Sequence, residues 1–170
     1  MVHISEKQTR PNTKLKTTTS NLIDLLTSFG QLTNKFNFFF SAGMIVGLHY
    51  ESIMDIMGFC PVPVVCGSNR LGKTKSAKAA LSLVGNMASF YSSVKERFIP
   101  RLCSRTTLPP VLDDIKKSKL IEEIAVSFYN RGKDGTCFLE CTPRTCPIIT
   151  VNWESLDALD RDPRYVVCYN

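Results

Sequence analysis

An eight-residue segment, GSNRLGKT from Gly67 to Thr74, constrains this chain more than any other feature. It fits the pattern G-x-x-x-x-G-K-[ST], in which backbone N–H groups line a nest for phosphate and the next helix adds its positive N-terminal end. Gly67 and Gly72 let the backbone approach a phosphate without a Cβ in the way. The segment therefore predicts a phosphate-binding loop, the P-loop, between a strand and a helix.

The residues on both sides of the loop fit this prediction. The apolar run Pro63–Cys66 predicts a short buried strand, and apolar residues at helical spacing follow the loop until Gly85. In such a loop Lys73 would contact the β- and γ-phosphates of ATP, and the Thr74 hydroxyl would ligate Mg²⁺. The alternative is a glycine turn that carries a lysine by chance. The residues expected to contact the nucleotide are Gly67, Ser68, Asn69, Arg70, Leu71, Gly72, Lys73, Thr74 and Lys75.

Charge and cysteine usage indicate the setting in which the chain works. The net charge is +6, and the segment from Asn69 to Arg105 carries eight basic residues against one acid. This bias suits the phosphates of a nucleotide or of a nucleic acid, and it equally suits a solvated face. Seven cysteines without a secretory signal favour an intracellular protein with reduced thiols. The most hydrophobic run, Phe36–Tyr50, is too short to span a bilayer, so no membrane is expected.

The chain divides into three predicted parts. Residues 1–20 are polar without apolar periodicity, which predicts a disordered arm. Residues 21–58 form a predicted N-terminal helical segment, with one helix after Asn21 and a second stretch from about Asn34 to Met57, broken at its glycines. Residues 59–170 are the predicted core. Its alternation of strands and helices predicts an α/β fold with a mostly parallel sheet. Beyond the first strand, further strands are expected within 87–94, 111–112, 146–151 and 165–169.

Two further motifs place polar side chains at the ends of predicted strands. PPVLDDI, residues 109–115, is an apolar strand ending in two acids, the form of a Walker B motif. Asp113 would hold Mg²⁺ and Asp114 would position or deprotonate the attacking water, unless the pair is a surface turn. PIITVN, residues 147–152, ends in Asn152, which would sense the γ-phosphate or simply form a turn.

The ordered set GSNRLGKT, VLDD and PIITVN resembles the ATPase core of superfamily 3 helicases. It is similar to the helicase-like domains of viral, phage and plasmid primases and of uncharacterised animal proteins, over roughly Pro61 to Tyr169. The resemblance implies a P-loop NTPase sandwich of three layers, with strand order 5-1-4-3-2 and Mg²⁺-dependent ATP hydrolysis. It also implies a homo-oligomeric ring and single-stranded nucleic acid as a partner.

The same resemblance implies a catalytic arginine just before the last strand. In DRDPRYVVCYN both Arg161 and Arg164 follow Asn152 at a suitable distance, and Arg164 matches better because it directly precedes the apolar run. This arginine would project into the ATP of a neighbouring subunit and join Lys73, Asp114 and Asn152 as the catalytic set. The alternative is an exposed turn in which Arg164 pairs with nearby aspartates. A guanidinium suits the first role because it neutralises charge on the transferring phosphoryl group.

The chain also departs from the family. Asn69 and Arg70 stand where small or proline residues are usual, so Arg70 adds a phosphate contact or obstructs one. The chain ends at Asn170, just after the last predicted strand, where family members continue. Two interpretations stay open, a core that is truncated at its C-terminal end and a minimal gene product. Two other functions stay open: an ATP-binding switch or scaffold with little hydrolysis, and a small-molecule kinase. A kinase would need a lid, for which Arg97, Arg101 and Arg105 are the candidates.

Overall fold

The computed structural model describes residues 35–132, 134–136, 139–152 and 165–168, together with residue 27. Contacts divide the chain into two units, Met1–Leu32 and Thr33–Asn170, and every element given below lies in the second. The predicted arm 1–20, the predicted helix after Asn21 and Arg164 lie outside the described residues. These expectations, and the division into three parts, stay predictions.

The described part of the second unit alternates helices and strands. No helix in this part is long and apolar enough to cross a membrane. In chain order the elements are α1 (Lys35–Leu48), α2 (Tyr50–Met57), β1 (Val62–Cys66), α3 (Lys73–Leu83), β2 (Phe90–Tyr91), α4 (Phe98–Ser104), β3 (Val111–Leu112), α5 (Ser118–Tyr129), β4 (Asp134–Thr136), β5 (Leu139–Cys141), β6 (Ile148–Val151) and β7 (Tyr165–Cys168).

Five parallel strands form the main sheet, in the order β2-β3-β6-β1-β7. The strand numbers in this order differ from those in the predicted order 5-1-4-3-2. The reason is an antiparallel hairpin, which was not predicted and which takes the labels β4 and β5. Without the hairpin the neighbours are those expected, since β1 lies between the strand that precedes Asn152 and the last strand. The chain is therefore α/β with a parallel sheet, and β1 is next to the sheet's edge strand β7.

The two central strands are covered on both faces. Every residue of β1 and of β6 is buried, as expected for apolar, largely β-branched runs in a parallel sheet with helices on either side. One face of the sheet packs against α2, α4 and α5, which supply large core side chains such as Tyr50 and Phe128. On the other face lies α1, which also contacts α3.

The helix α1 approaches the sheet closely through two glycines. A Cβ at Gly43 would lie 3.2 Å from Ile148 and from Pro63, and one at Gly47 would lie 2.5 Å from the Pro109 Cβ. The predicted breaks at the glycines are wrong, because both residues lie inside α1 where small size is needed for packing. The break comes instead at His49, between α1 and α2.

Candidate functional site

A tight loop, Gly67–Gly72, joins the end of β1 to the start of α3. Two of its residues have left-handed backbone conformations, Arg70 with φ +67° and Gly72 with φ +91° at the N-cap of α3. Such a conformation is normal for glycine and uncommon for arginine. The strand, glycine-rich loop and helix therefore follow one another in the order that the sequence predicted.

The first glycine of the loop packs against α1. A Cβ at Gly67 would lie 2.9 Å from the Phe36 Cζ, and the Phe36 side chain is fully buried. A side chain at position 67 would displace either the loop or the ring. The Phe36 ring therefore packs against the loop at Gly67. Its position in a hydrophobic run of the sequence did not indicate this contact.

Lys73 extends back over the loop from the first turn of α3. Its ammonium donates to the backbone carbonyls of Gly67 and Ser68, and to the Asn152 Oδ1 at 3.0 Å. The residue is only 9% exposed, and burial lowers the pKa of its ammonium below the ordinary 10.5, while the nearby Asp113 and Asp114 carboxylates oppose that shift. The Lys73 ammonium has three N–H donors and lies in a desolvated position. It therefore attracts an anion more strongly than a lysine ammonium in water would.

The two acids and Asn152 lie at the same edge of the sheet as Lys73. The Thr74 Oγ1 and the Asp113 Oδ2 are 3.3 Å apart, and the Asn152 Nδ2 donates to the Asp114 Oδ1 at 2.6 Å. These residues come together because β1, β3 and β6 are parallel, so that their carboxyl ends meet at one edge. The structure thus joins residues from three separate motifs in one constellation.

A cavity of about 390 Å³ opens over this constellation, within the range of small-molecule sites. Gly67 and Ser68, which were expected to contact a nucleotide, do not line it, although their carbonyls hold Lys73. Arg164 lies outside the described residues. The lining residues are Asn69, Arg70, Leu71, Gly72, Lys73, Thr74, Lys75, Asp113, Asp114, Thr150 and Asn152.

Thr150 is a site residue that the sequence analysis missed. It is fully buried in β6, and its hydroxyl bonds to the Asp113 carboxylate and to the Asp114 backbone. The available signal was a polar residue inside the apolar run PIITVN, two positions before Asn152. Alternate strand residues share a face of the sheet, so Thr150 and Asn152 had to point the same way.

The donor set fits Mg²⁺ bound together with a nucleotide. The Thr74 hydroxyl and the Asp113 carboxylate offer the hard oxygen ligands that this ion prefers. Within the described ranges, no group of three or more His, Cys, Asp or Glu side chains is arranged to hold a metal. A cation at this edge would thus depend on phosphate oxygens for further ligands, as Mg²⁺ commonly does in nucleotide sites.

Comparison with known proteins supports the fold. No family model and no curated protein matches the sequence. Among solved structures, the chain is similar to "SCCmec type IV Cch - active helicase", with a TM-score of 0.60 and 16% sequence identity. The match covers 90% of this chain but only 31% of the helicase chain, so this chain spans about a third of that protein's length. The fold is therefore helicase-like.

Proposed function

We propose that this chain is the ATP-binding core of a Mg²⁺-dependent ATPase of helicase type. The observation that carries the proposal is the convergence of Lys73, Asp113, Asp114 and Asn152 beside a strand–glycine loop–helix unit. Three motifs far apart in the sequence share one cavity, which a chance glycine turn would not require. The helicase-like fold supports the same assignment and is compatible with superfamily 3.

Each residue of the constellation has a role that its geometry permits. Lys73 would exchange its bonds to the loop carbonyls for bonds to the β- and γ-phosphates. Thr74 and Asp113 would hold Mg²⁺, which when bound neutralises charge on the phosphates. Asp114 would orient the attacking water, and Asn152, bonded to both Lys73 and Asp114, would sense the γ-phosphate.

Of the two alternatives, the described residues give less support to the kinase, and they fit the switch as well as the ATPase. A small-molecule kinase needs lid arginines at the cavity, and Arg97, Arg101 and Arg105 are not among its lining residues. An ATP-binding switch would use the same binding site with little hydrolysis. Phosphate release measured with and without single-stranded DNA separates the ATPase from the switch, because a switch shows little or no turnover under either condition.

Replacing Lys73 tests the proposal that the chain binds ATP. Calorimetric titration with Mg·ATP should show that Lys73→Ala lowers affinity about 10- to 100-fold, since a hydrogen bond to a charged group contributes about 1.5–3 kcal/mol. Lys78→Ala is the matched control. It removes the same charge from the same helix, but Lys78 is exposed, lies over the Phe90 ring at 5.0 Å from its centroid, and is absent from the cavity lining.

The control variant should keep the affinity of the wild-type protein. Equal affinity for the wild-type and Lys73→Ala proteins would contradict the proposal, and so would a loss of the same size in Lys78→Ala. The second result would indicate a general charge effect rather than contact with phosphate, because both variants change the net charge equally.

A further inference from the structure

One buried hydroxyl connects the two acids of the site. The Thr150 Oγ1 donates to the Asp113 Oδ1 at 2.7 Å and accepts from the Asp114 backbone N–H at 2.9 Å. A hydroxyl has one proton and two lone pairs, so it makes both bonds at once. Because the amide can only donate, the hydroxyl proton must point to the Asp113 carboxylate. The two partners therefore determine which bond the Thr150 hydroxyl donates and which bond it accepts.

These bonds hold a segment with an unusual backbone. Asp114 has φ +56°, a left-handed conformation that raises the energy of a residue with a side chain. The next residue adds a third bond to position 150, from the Ile115 N–H to the Thr150 carbonyl at 3.1 Å. Asn152, the residue directly after β6, donates a hydrogen bond to the Asp114 side chain. The chain after β3 is thus tied to β6 at three successive residues.

The orientation of the Asp113 carboxylate follows from the same contact. Its Oδ1 is engaged by Thr150, which leaves its Oδ2 directed to the Thr74 Oγ1 at 3.3 Å. Resting on the proposed function, we infer that Thr150 is a positioning residue, whose hydroxyl turns Asp113 toward Mg²⁺ and fixes the backbone of Asp114. It acts through these two residues and does not itself need to touch the nucleotide.

Thr150→Val tests the inference, because valine keeps the shape of threonine and removes both side-chain bonds. Binding of ATP is titrated by calorimetry at a series of Mg²⁺ concentrations and in excess chelator. We expect the half-saturating Mg²⁺ concentration to rise about 10- to 100-fold, the usual effect of losing a group that orients a metal ligand. ATP binding in chelator should stay near the wild-type value, and Thr150→Ser should restore the Mg²⁺ dependence.

Thr145→Val is the matched control for a merely structural role. Thr145 is also fully buried, and its hydroxyl donates to the Gly47 carbonyl at 2.8 Å, away from the acids. Both valine variants should lose stability in urea, since each removes the hydrogen bonds of a fully buried hydroxyl and leaves its partners unbonded. Only Thr150→Val should change the Mg²⁺ dependence. If Thr150→Val does not fold, Thr150→Cys, with its weak donor, carries the same expectation.

The outcomes separate this inference from the function on which it rests. If the wild-type protein binds Mg·ATP but Thr150→Val shows an unchanged Mg²⁺ dependence, or Thr145→Val shifts it equally, the positioning role is overturned and the proposed function stands. If the wild-type protein binds no ATP with or without Mg²⁺, both are overturned. A shift confined to Thr150→Val and reversed in Thr150→Ser supports the inference.

Discussion

Asp114 combines a left-handed backbone conformation with a carboxylate that faces the candidate site. Its φ of +56° lies in the left-handed region, where aspartate and asparagine are the residues that follow glycine in tolerance. Its carboxylate accepts from Asn152 at 2.6 Å and faces the cavity. An asparagine at this position would suit the same backbone and could still accept that bond, so the exchange probes the charge more than the fold.

We predict that Asp114→Asn folds normally, binds Mg·ATP with near wild-type affinity and loses turnover by about 10²- to 10⁴-fold. That is the usual contribution of a side chain that accepts or directs a proton. Phosphate release and calorimetry on the same preparation measure the two effects. Asp113→Asn is the comparison, and it should mainly raise the Mg²⁺ requirement. An Asp114→Asn protein with full turnover would assign water positioning to another group.

At the scale of elements, two glycines of α1 allow this helix to pack close to the sheet. Gly47 faces Pro109, two residues before β3, while Gly43 faces side-chain atoms of Ile148 and Pro63. The same helix supplies Phe36, which contacts Gly67 of the loop. One end of α1 thus packs against the glycine-rich loop, and the other end packs against the residues just before β3, the strand that the two acids follow.

We predict that Gly47→Ala lowers the free energy of unfolding by about 1–3 kcal/mol, the range for overpacking. The alanine Cβ would lie 2.5 Å from the Pro109 Cβ, in a ring that cannot move aside without its backbone. On helix propensity alone, alanine would stabilise by about 1 kcal/mol, so the sign of the change is informative. Urea denaturation measures it.

Gly43→Ala is the graded control, because its Cβ would meet side chains at 3.2 Å rather than 2.5 Å. It should cost less than Gly47→Ala. A Gly47→Ala protein as stable as the wild type would show that α1 does not rest against Pro109 in solution.

Motif positions and the sheet strands were predictable from the sequence, while contacts between elements were not. The buried runs around Val64 and Ile149 predicted strands because a strand covered on both faces is apolar throughout. Which strands are neighbours came only from the family resemblance. The hairpin β4–β5 was missed, since strands of three residues are too short for alternation to indicate them. The contact of Phe36 with Gly67 is tertiary and has no local pattern, and for Thr150 the sequence shows a polar strand residue but not its partners Asp113 and Asp114.

At the scale of the whole molecule, the basic segment Asn69–Arg105 divides into two parts. Lys73 lies buried in the candidate site, whereas the other seven basic side chains are exposed. The sequence alone left open whether this charge serves phosphate or forms a solvated face. Three of the eight, Lys73, Arg70 and Lys75, line the cavity. The remaining five are available for a nucleic acid or for solvent.

The first residue of the last strand lies far from the glycine-rich loop. β7 begins at Tyr165, which pairs with Val62, while the loop follows Cys66. Four residues along a parallel strand span about 13 Å. Arg164 precedes this strand in the sequence and lies outside the described residues. The role that the family resemblance implies for it is therefore a hypothesis about the site of a neighbouring copy.

We predict that Arg164→Ala keeps folding and ATP binding but abolishes turnover in an assembled ring. A guanidinium supplied by a neighbour typically contributes about 10³- to 10⁵-fold to phosphoryl transfer. If Arg164 only paired with surface aspartates, its loss would change little, because exposed pairs contribute about 0–1 kcal/mol. Mixing Arg164→Ala with Lys73→Ala should restore part of the activity, since some interfaces then combine an intact loop with an intact arginine. Phosphate release from the mixture, with co-assembly checked by light scattering, measures this; co-assembly without recovery would return Arg164 to the exposed-turn interpretation.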